Sequence, residues 1–474
     1  MPQRFQVAER FRSHTRPRRR DWTAVPARLP IALALLLTAQ ITTATAPAAH
    51  ASWTQPQAIT GPSATNLHGA GNARGSQAFA WKVSSERFVR LRSQSGLAGH
   101  IRARIRLPDG RLGRAQTISS TREIVAHPQI GVSESGDATA VWVQAGRHLR
   151  IMAAYRPRGG RFDTPFELGR SMHFDDARPA IVVGRFGDAV VAWNHGRAIQ
   201  VVRRAGNAIC APRRAHACFR PKLSLRAGAD HALALGPLGS AYVVWAAGER
   251  RAGEFHTRLR MTVIRRSGLV TGREHAVSRA ADGDASQPSI AVRRDGRADI
   301  AWRASLPAGG EQNLAAPIMA VVSSPDAVTS QPRAVSLHPG ERPQLRGNRQ
   351  GEAVLAWNES NPTPQNPDGP QVAVAARPAG ADTFGAPSAI TPPDLAAGDA
   401  SLAVDAAGSA HVVYATAPAG GPAGLRHVRA PGGAFGPPSP LPAGLRPLSL
   451  IAAGAKVTAV GLVGSTWQVS DRMP

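Results

Sequence analysis

A seven-residue phrase that opens on glycine and closes on an aromatic ring returns along this chain at nearly even intervals. It occupies residues 136–142, 187–193, 239–245, 296–302 and 351–357, with a looser form at 75–81 and a tyrosine-ended form at 408–414. The aromatic positions Trp81, Trp142, Trp193, Trp245, Trp302, Trp357 and Tyr414 stand 61, 51, 52, 57, 55 and 57 residues apart. A fixed period of this size belongs to repeat architectures, whose units bury their apolar faces against one another. It therefore overrides the expectation of about three separate domains that a length of 474 residues would raise.

A second spacing defines the unit further. Pro128, Pro179, Pro288 and Pro343 each lie 14 residues before their tryptophan, and each opens a short stretch of alternating apolar residues such as Gln129-Ile130-Gly131-Val132. Period-two alternation bounded by turn residues predicts a strand. Proline fits the first residue of one, where its missing N–H breaks no ladder bond. The glycine supplies the turn that follows, and the heptapeptide is the second strand. A third strand is exemplified by Leu149 to Tyr155. A fourth is announced by an aromatic phrase ending in proline, as in Phe162-Asp163-Thr164-Pro165 and Phe384-Gly385-Ala386-Pro387. Four antiparallel strands every 50–60 residues, with no helical periodicity, predict an all-β fold, a β-propeller of four-stranded blades.

The ends of the chain set the blade count. Residues 52–60 read as a fourth strand with no first three before it, and residues 447–469 read as three strands with no fourth after them. Joined, the two fragments make an eighth blade that closes the ring. Seven blades is the alternative, with the C-terminal fragment a cap.

Residues 1–51 read as a signal peptide before a single propeller domain over 52–474. Eight arginines precede the apolar run Ile31 to Leu37, and Ala49-His50-Ala51 fits a cleavage site. The run is too short for a comfortable membrane span, which needs about 20 residues. The expectation is a secreted or extracytoplasmic monomer with no membrane span after cleavage. Cleavage would remove eight arginines and two acids, lowering the formal charge from +26 to +20. Of the 57 basic residues only Lys82, Lys222 and Lys456 are lysine. The arginines spread over every repeat without interleaved aromatics, which is not a stacking pattern for nucleic acid. Cys210 and Cys218 are the two cysteines, and in an oxidising compartment they are expected to form a local disulfide.

Phrases such as Asp295-Gly296-Arg297-Ala298-Asp299-Ile300-Ala301-Trp302 and Glu134-Ser135-Gly136-Asp137-Ala138 resemble secreted bacterial propellers of the sialidase-like, BNR-repeat kind, as an architecture covering residues 52–474. The resemblance implies a carbohydrate-active hydrolase or lyase, with an arginine triad and a Tyr/Glu nucleophile pair. This chain spaces its glycine and aromatic differently from that family's Asp-box, and Tyr155, Tyr242 and Tyr414 do not place the nucleophile pair. No H-E-x-x-H, G-x-S-x-G or phosphate-loop pattern occurs either.

No catalytic residue, metal site or cofactor is therefore assigned. Calcium is the one ion the loop acids Asp282, Asp284, Asp175 and Asp176 could hold. Two–three loops and four–one connections share one face, where Asn194, His195, Asp175, Asp176, Asp282, Asp284, Glu311, Asn358 and Glu359 fall. The longest two–three loops are expected at 248–255, 306–314 and 358–371, and variable loops on a rigid scaffold carry binding. The sequence thus reads as a non-enzymatic scaffold that binds a protein or glycan through this face. Carbohydrate hydrolysis or lysis, and polyanion binding by the arginine-rich surface, are the alternatives.

Overall fold

The computed structural model describes residues 53–472, apart from 91–94, 175–176, 207–217, 227, 252–253, 268–269, 306–315, 361–368, 393 and 417–422. The expected signal peptide and Cys210 lie outside these residues. Eight four-stranded antiparallel sheets follow one another along the chain as the blades of a propeller. Blade 1 comprises Ala64–Gly71, Gln77–Arg90, Ser95–Arg106 and Gln116–Thr117, and blade 2 comprises Ile124–Val132, Ala138–Ala145, Leu149–Arg156 and Phe166–Arg170. Blades 3 to 7 repeat this plan. Blade 8 takes Arg446–Ala453, Lys456–Val463 and Thr466–Asp471 from the end of the chain and Gln57–Ala58 from its beginning. Gln57 pairs with Val469 and Ala58 with Gln468, so the ring closes as the orphan strands predict.

The signature tryptophans are the mortar between blades. Trp142, Trp193, Trp245, Trp302, Trp357 and Tyr414 are fully buried. Trp142 packs with Ile101, Ala103 and Ile118 of blade 1, and Trp245 with Val190, Ile199 and Val201 of blade 3. Each indole removes about 150–250 Å² from water, which is why the unit cannot stand alone. The signature glycines Gly75, Gly136, Gly187, Gly239, Gly296, Gly351 and Gly408 all have φ between +78° and +91°. They close a type I turn with one left-handed residue, a conformation cheap only for glycine.

The prolines sit differently from the expectation. Pro128, Pro288 and Pro343 lie inside their inner strands, Ile124–Val132, Asp284–Val292 and Gly340–Gly347, and only Pro179 precedes its strand, Ala180–Val183. Each of the three follows a β-bulge whose residue, His127, Gln287 or Arg342, has φ near +50°. Asn66 and Asp399 form the same bulge in blades 1 and 7 without a following proline. The inner strand has one unpaired edge, so proline there sacrifices no ladder bond.

That unpaired edge is satisfied from the neighbouring blade. The N–H of Ile130 donates to His68 Nδ1 at 3.1 Å, that of Leu345 to Ser289 Oγ at 3.0 Å, and that of Leu402 to Gln344 Oε1 at 3.1 Å. Arginine is built into the blades as well. Arg106, Arg156, Arg204, Arg377 and Arg429 each end a third strand, opposite the residue two after the signature glycine. Arg156, Arg204 and Arg377 donate to the carbonyl of that glycine. Arg377 of blade 6 also grips Asp299 of blade 5 in a buried bidentate pair at 2.7 and 3.0 Å. Part of the arginine excess is therefore structural.

Candidate functional site

Antiparallel blades place the two–three loops and four–one connections at one face of the ring and the one–two turns at the other. On the loop face, a cleft of about 370 Å³ opens between blades 5, 6 and 7, lined by Arg303, Glu341, Arg342, Asn358, Glu359 and Asp399 among others. Asn358 and Glu359 come from the end of the second strand of blade 6, Ala353–Ser360. Glu359 is buried, and its Oε1 accepts the His338 N–H at 2.9 Å. Asn358 Oδ1 accepts from Ala400 N at 3.3 Å across the blade boundary. Arg342 stands on its bulge and pairs with Asp399 at 2.6 Å, while its own N–H donates to Gln287 of blade 5. The cleft thus sets two arginines against three acids, with Asn358, Glu359, Arg342 and Asp399 held in place by the contacts above.

The other expected site residues do not join it. Asn194 and His195 end the second strand of blade 3, where His195 Nδ1 contacts the Arg170 carbonyl at 2.8 Å and the Asn194 carbonyl accepts from Ser171 Oγ at 2.6 Å. Asp282 caps a short 3-10 turn, accepting the Arg279 N–H at 2.6 Å and its guanidinium at 3.2 Å. Asp284 Oδ1 accepts Thr257 N at 2.9 Å and faces Arg258 NH1 at 3.3 Å. These acids have local structural work. Asp175, Asp176 and Glu311 lie outside the described residues. Among the described residues, no three His, Cys, Asp or Glu side chains cluster as a metal site would require.

The loop expected at 248–255 is mostly strand. Ala241–Arg251 and Glu254–Ile264 pair out to Arg251 and Glu254, making a long hairpin in blade 4. Blade 1 carries a similar one between Gln77–Arg90 and Ser95–Arg106. Sequence reasoning missed it because the extension is polar and reads as loop.

Sequence reasoning also missed the opposite face. There the one–two turns converge on a cavity of about 410 Å³, lined by Glu134, Arg185, Arg293, Arg294, Arg349 and Asp405 among others. Burial alone would raise the Asp405 carboxyl, yet hydrogen bonds from His411 Nε2 at 2.9 Å and the Ser409 N–H at 3.0 Å hold it below its ordinary value. The signal was present in the turns themselves, whose second residue is Arg185, Arg294 or Arg349 in three blades.

Fold and closure define an eight-bladed β-propeller with the last blade shared between the two ends of the described chain. The sequence matches no family model and no curated protein. Among solved structures, the chain is similar to the β-propeller domain of the trilobed protease from Pyrococcus furiosus, described as having an open velcro topology. The two are 8% identical over 80% of this chain and 94% of that one, with a TM-score of 0.44. It is also similar to an ulvan lyase from a new family of polysaccharide lyase, 9% identical over 73% of this chain and 95% of that one, at a TM-score of 0.44. A sialidase from Streptococcus pneumoniae is 10% identical over 75% of this chain and 65% of that one, at 0.38. At these identities the likeness is one of fold alone.

Proposed function

We propose that this propeller is an exported, non-enzymatic scaffold that binds a macromolecular ligand, protein or glycan, through its loop face. One observation carries the reading. Of the eight large apolar side chains exposed among the described residues, Phe88, Leu97, Met172, Phe255 and Leu337 stand on that face, the same one that holds the cleft of blades 5 to 7. Apolar anchors around preorganised polar groups are the make-up of a recognition surface. Leu337, which is 77% exposed, adjoins His338, whose N–H fixes Glu359 in the cleft. Two of the three cleft acids already have partners, Asp399 in Arg342 and Glu359 in a backbone N–H, which suits binding better than acid–base chemistry by a carboxylate pair.

The test is a pull-down and a glycan array with residues 52–474, repeated with Phe255→Ser and with Asn358→Ala. The reading expects a ligand at micromolar concentration whose capture falls in both variants. Turnover of a glycoside or uronide with no stable binding would replace it with the hydrolase or lyase alternative.

A further inference from the structure

We propose that the turn-face mouth of the central channel is a separate binding site for a small polyanion, held by Arg185, Arg294 and Arg349. Each blade sends one one–two turn to the mouth, and the second residue of every turn lines the cavity. In blades 3, 5 and 6 that residue is arginine. In blades 1, 7 and 8 it is Ala73, Ala406 and Gly454. With Glu134 in blade 2 and Pro237 in blade 4, the mouth has a predominantly cationic side and an uncharged one, and its cavity of about 410 Å³ has room for a ligand the size of a sugar acid or a tricarboxylate.

The charge balance points the same way. The acids that line the mouth are already engaged: Glu134 Oε1 accepts the Ala73 N–H at 3.0 Å, and Asp405 is held by His411 and Ser409. Arg293, beneath the rim, is spent on Asp299 at 2.8 Å and Asp382 at 3.2 Å. Arg185, Arg294 and Arg349 are exposed and form no ion pair among the described residues. Arg185 instead lies over the Phe186 ring at 4.4 Å, a ring it shares with Arg266 at 5.2 Å, and this contact uses none of its N–H groups. Three arginines lining one cavity without an acid partner place like charges around a space that an oxyanion would neutralise, and the planar N–H fork suits carboxylate or phosphate. Elsewhere in the ring, arginines at the ends of third strands have partners; here they do not.

Isothermal titration of residues 52–474 with citrate and, separately, pyrophosphate tests the proposal and distinguishes a carboxylate from a phosphate ligand. Binding is expected for at least one, weakening as salt rises. Arg294→Gln with Arg349→Gln should weaken it about tenfold or more, the loss for a charge-assisted hydrogen bond. Arg87→Gln with Arg90→Gln, on the exposed hairpin of blade 1, removes equal charge and should change affinity less than about twofold. An unchanged melting temperature confirms that the mouth variant folds, since neither side chain makes a structural hydrogen bond. No heat with either anion, or equal weakening in both double variants, overturns the site. The loop-face reading is untouched by either outcome, because the two sites lie on opposite faces.

Discussion

The ring is fastened where blade 8 meets blade 1, and Asp471 is the centre of the fastening. Its Oδ1 accepts from Arg106 NH1 at 2.6 Å and from Thr458 Oγ1 at 2.6 Å, while Gln77 reaches Arg106 at 3.4 Å and Thr458 at 2.5 Å. Asp471 and Arg106 are only 6% and 7% exposed. Replacing one partner of such a buried pair strands the other charge, at a cost of about 3–5 kcal/mol. Gln77 remains as a weak substitute, so Asp471→Asn should cost close to the lower bound, about 3 kcal/mol. Urea unfolding followed by tryptophan fluorescence reads this directly, because most of the indoles are buried between blades. The midpoint should fall with the slope unchanged. Adding Arg106→Met removes the stranded guanidinium and should restore most of the loss, since replacing both partners of a buried pair is often close to neutral. pH gives an independent check. Burial alone would raise the Asp471 carboxyl, but hydrogen bonds from Arg106 and Thr458 and the Arg106 charge win and hold it below 3.8. A depressed carboxyl contributes above its ordinary value and loses that contribution as pH falls through its folded value. The acid limb of stability should therefore be shallower in Asp471→Asn. A loss under about 1 kcal/mol, or a double variant no better than the single one, refutes the reasoning.

Three further outcomes are expected. Among the described residues, Trp302 and Trp357 are buried with no hydrogen-bond partner for Nε1, whereas Trp142 Nε1 donates to Gln144 at 3.0 Å. Phenylalanine should therefore be tolerated better at 302 and 357 than at 142, while alanine costs about 3–5 kcal/mol at all three, measured by urea unfolding. His68 is lowered to about 4 by burial and accepts the Ile130 N–H while neutral. The unfolded chain then binds more protons between about pH 6.5 and 4, so stability falls as pH drops through that window. His68→Gln should flatten this dependence in melting curves. Water reaches part of the ring, so the effect stays below the full linkage value of ~3 kcal/mol. Cys210 and Cys218 should register no free thiol in the denatured, unreduced chain exported to an oxidising compartment, and two after reduction.

The blade, its period and the blade count were legible because they depend on local pattern: a turn glycine, an alternating strand and a large ring at a fixed offset. The closing blade was legible because its two fragments are each recognisable strands. What stayed hidden depends on how blades meet. Pro128 and Pro343 read as strand starts, since a bulge has no sequence mark of its own beyond an uncommon left-handed residue such as His127 or Arg342. Asp282 and Asp284 read as free loop acids because backbone N–H partners are invisible in composition. Arg185, Arg294 and Arg349 lie more than 50 residues apart and share a cavity only once the ring has closed. Asn358 and Glu359 follow from loop placement, and the structure brings them into one cleft with Arg303 and Asp399, which the repeat pattern does not mark.

The shared blade sets the order in which the molecule can be completed. Thr54 Oγ1 accepts the N–H of Asp471, a contact spanning 417 residues, and Gln57–Ala58 have no sheet partner until Thr466–Asp471 exist. Each of the other blades is built from neighbours in sequence and can form as its residues become available. The first of the described strands must therefore wait, unpaired, for the last of them. Such long-range pairing delays folding, so seven blades can be complete while the ring is still open, and the seam closes only when residues 466–471 reach Gln57 and Ala58.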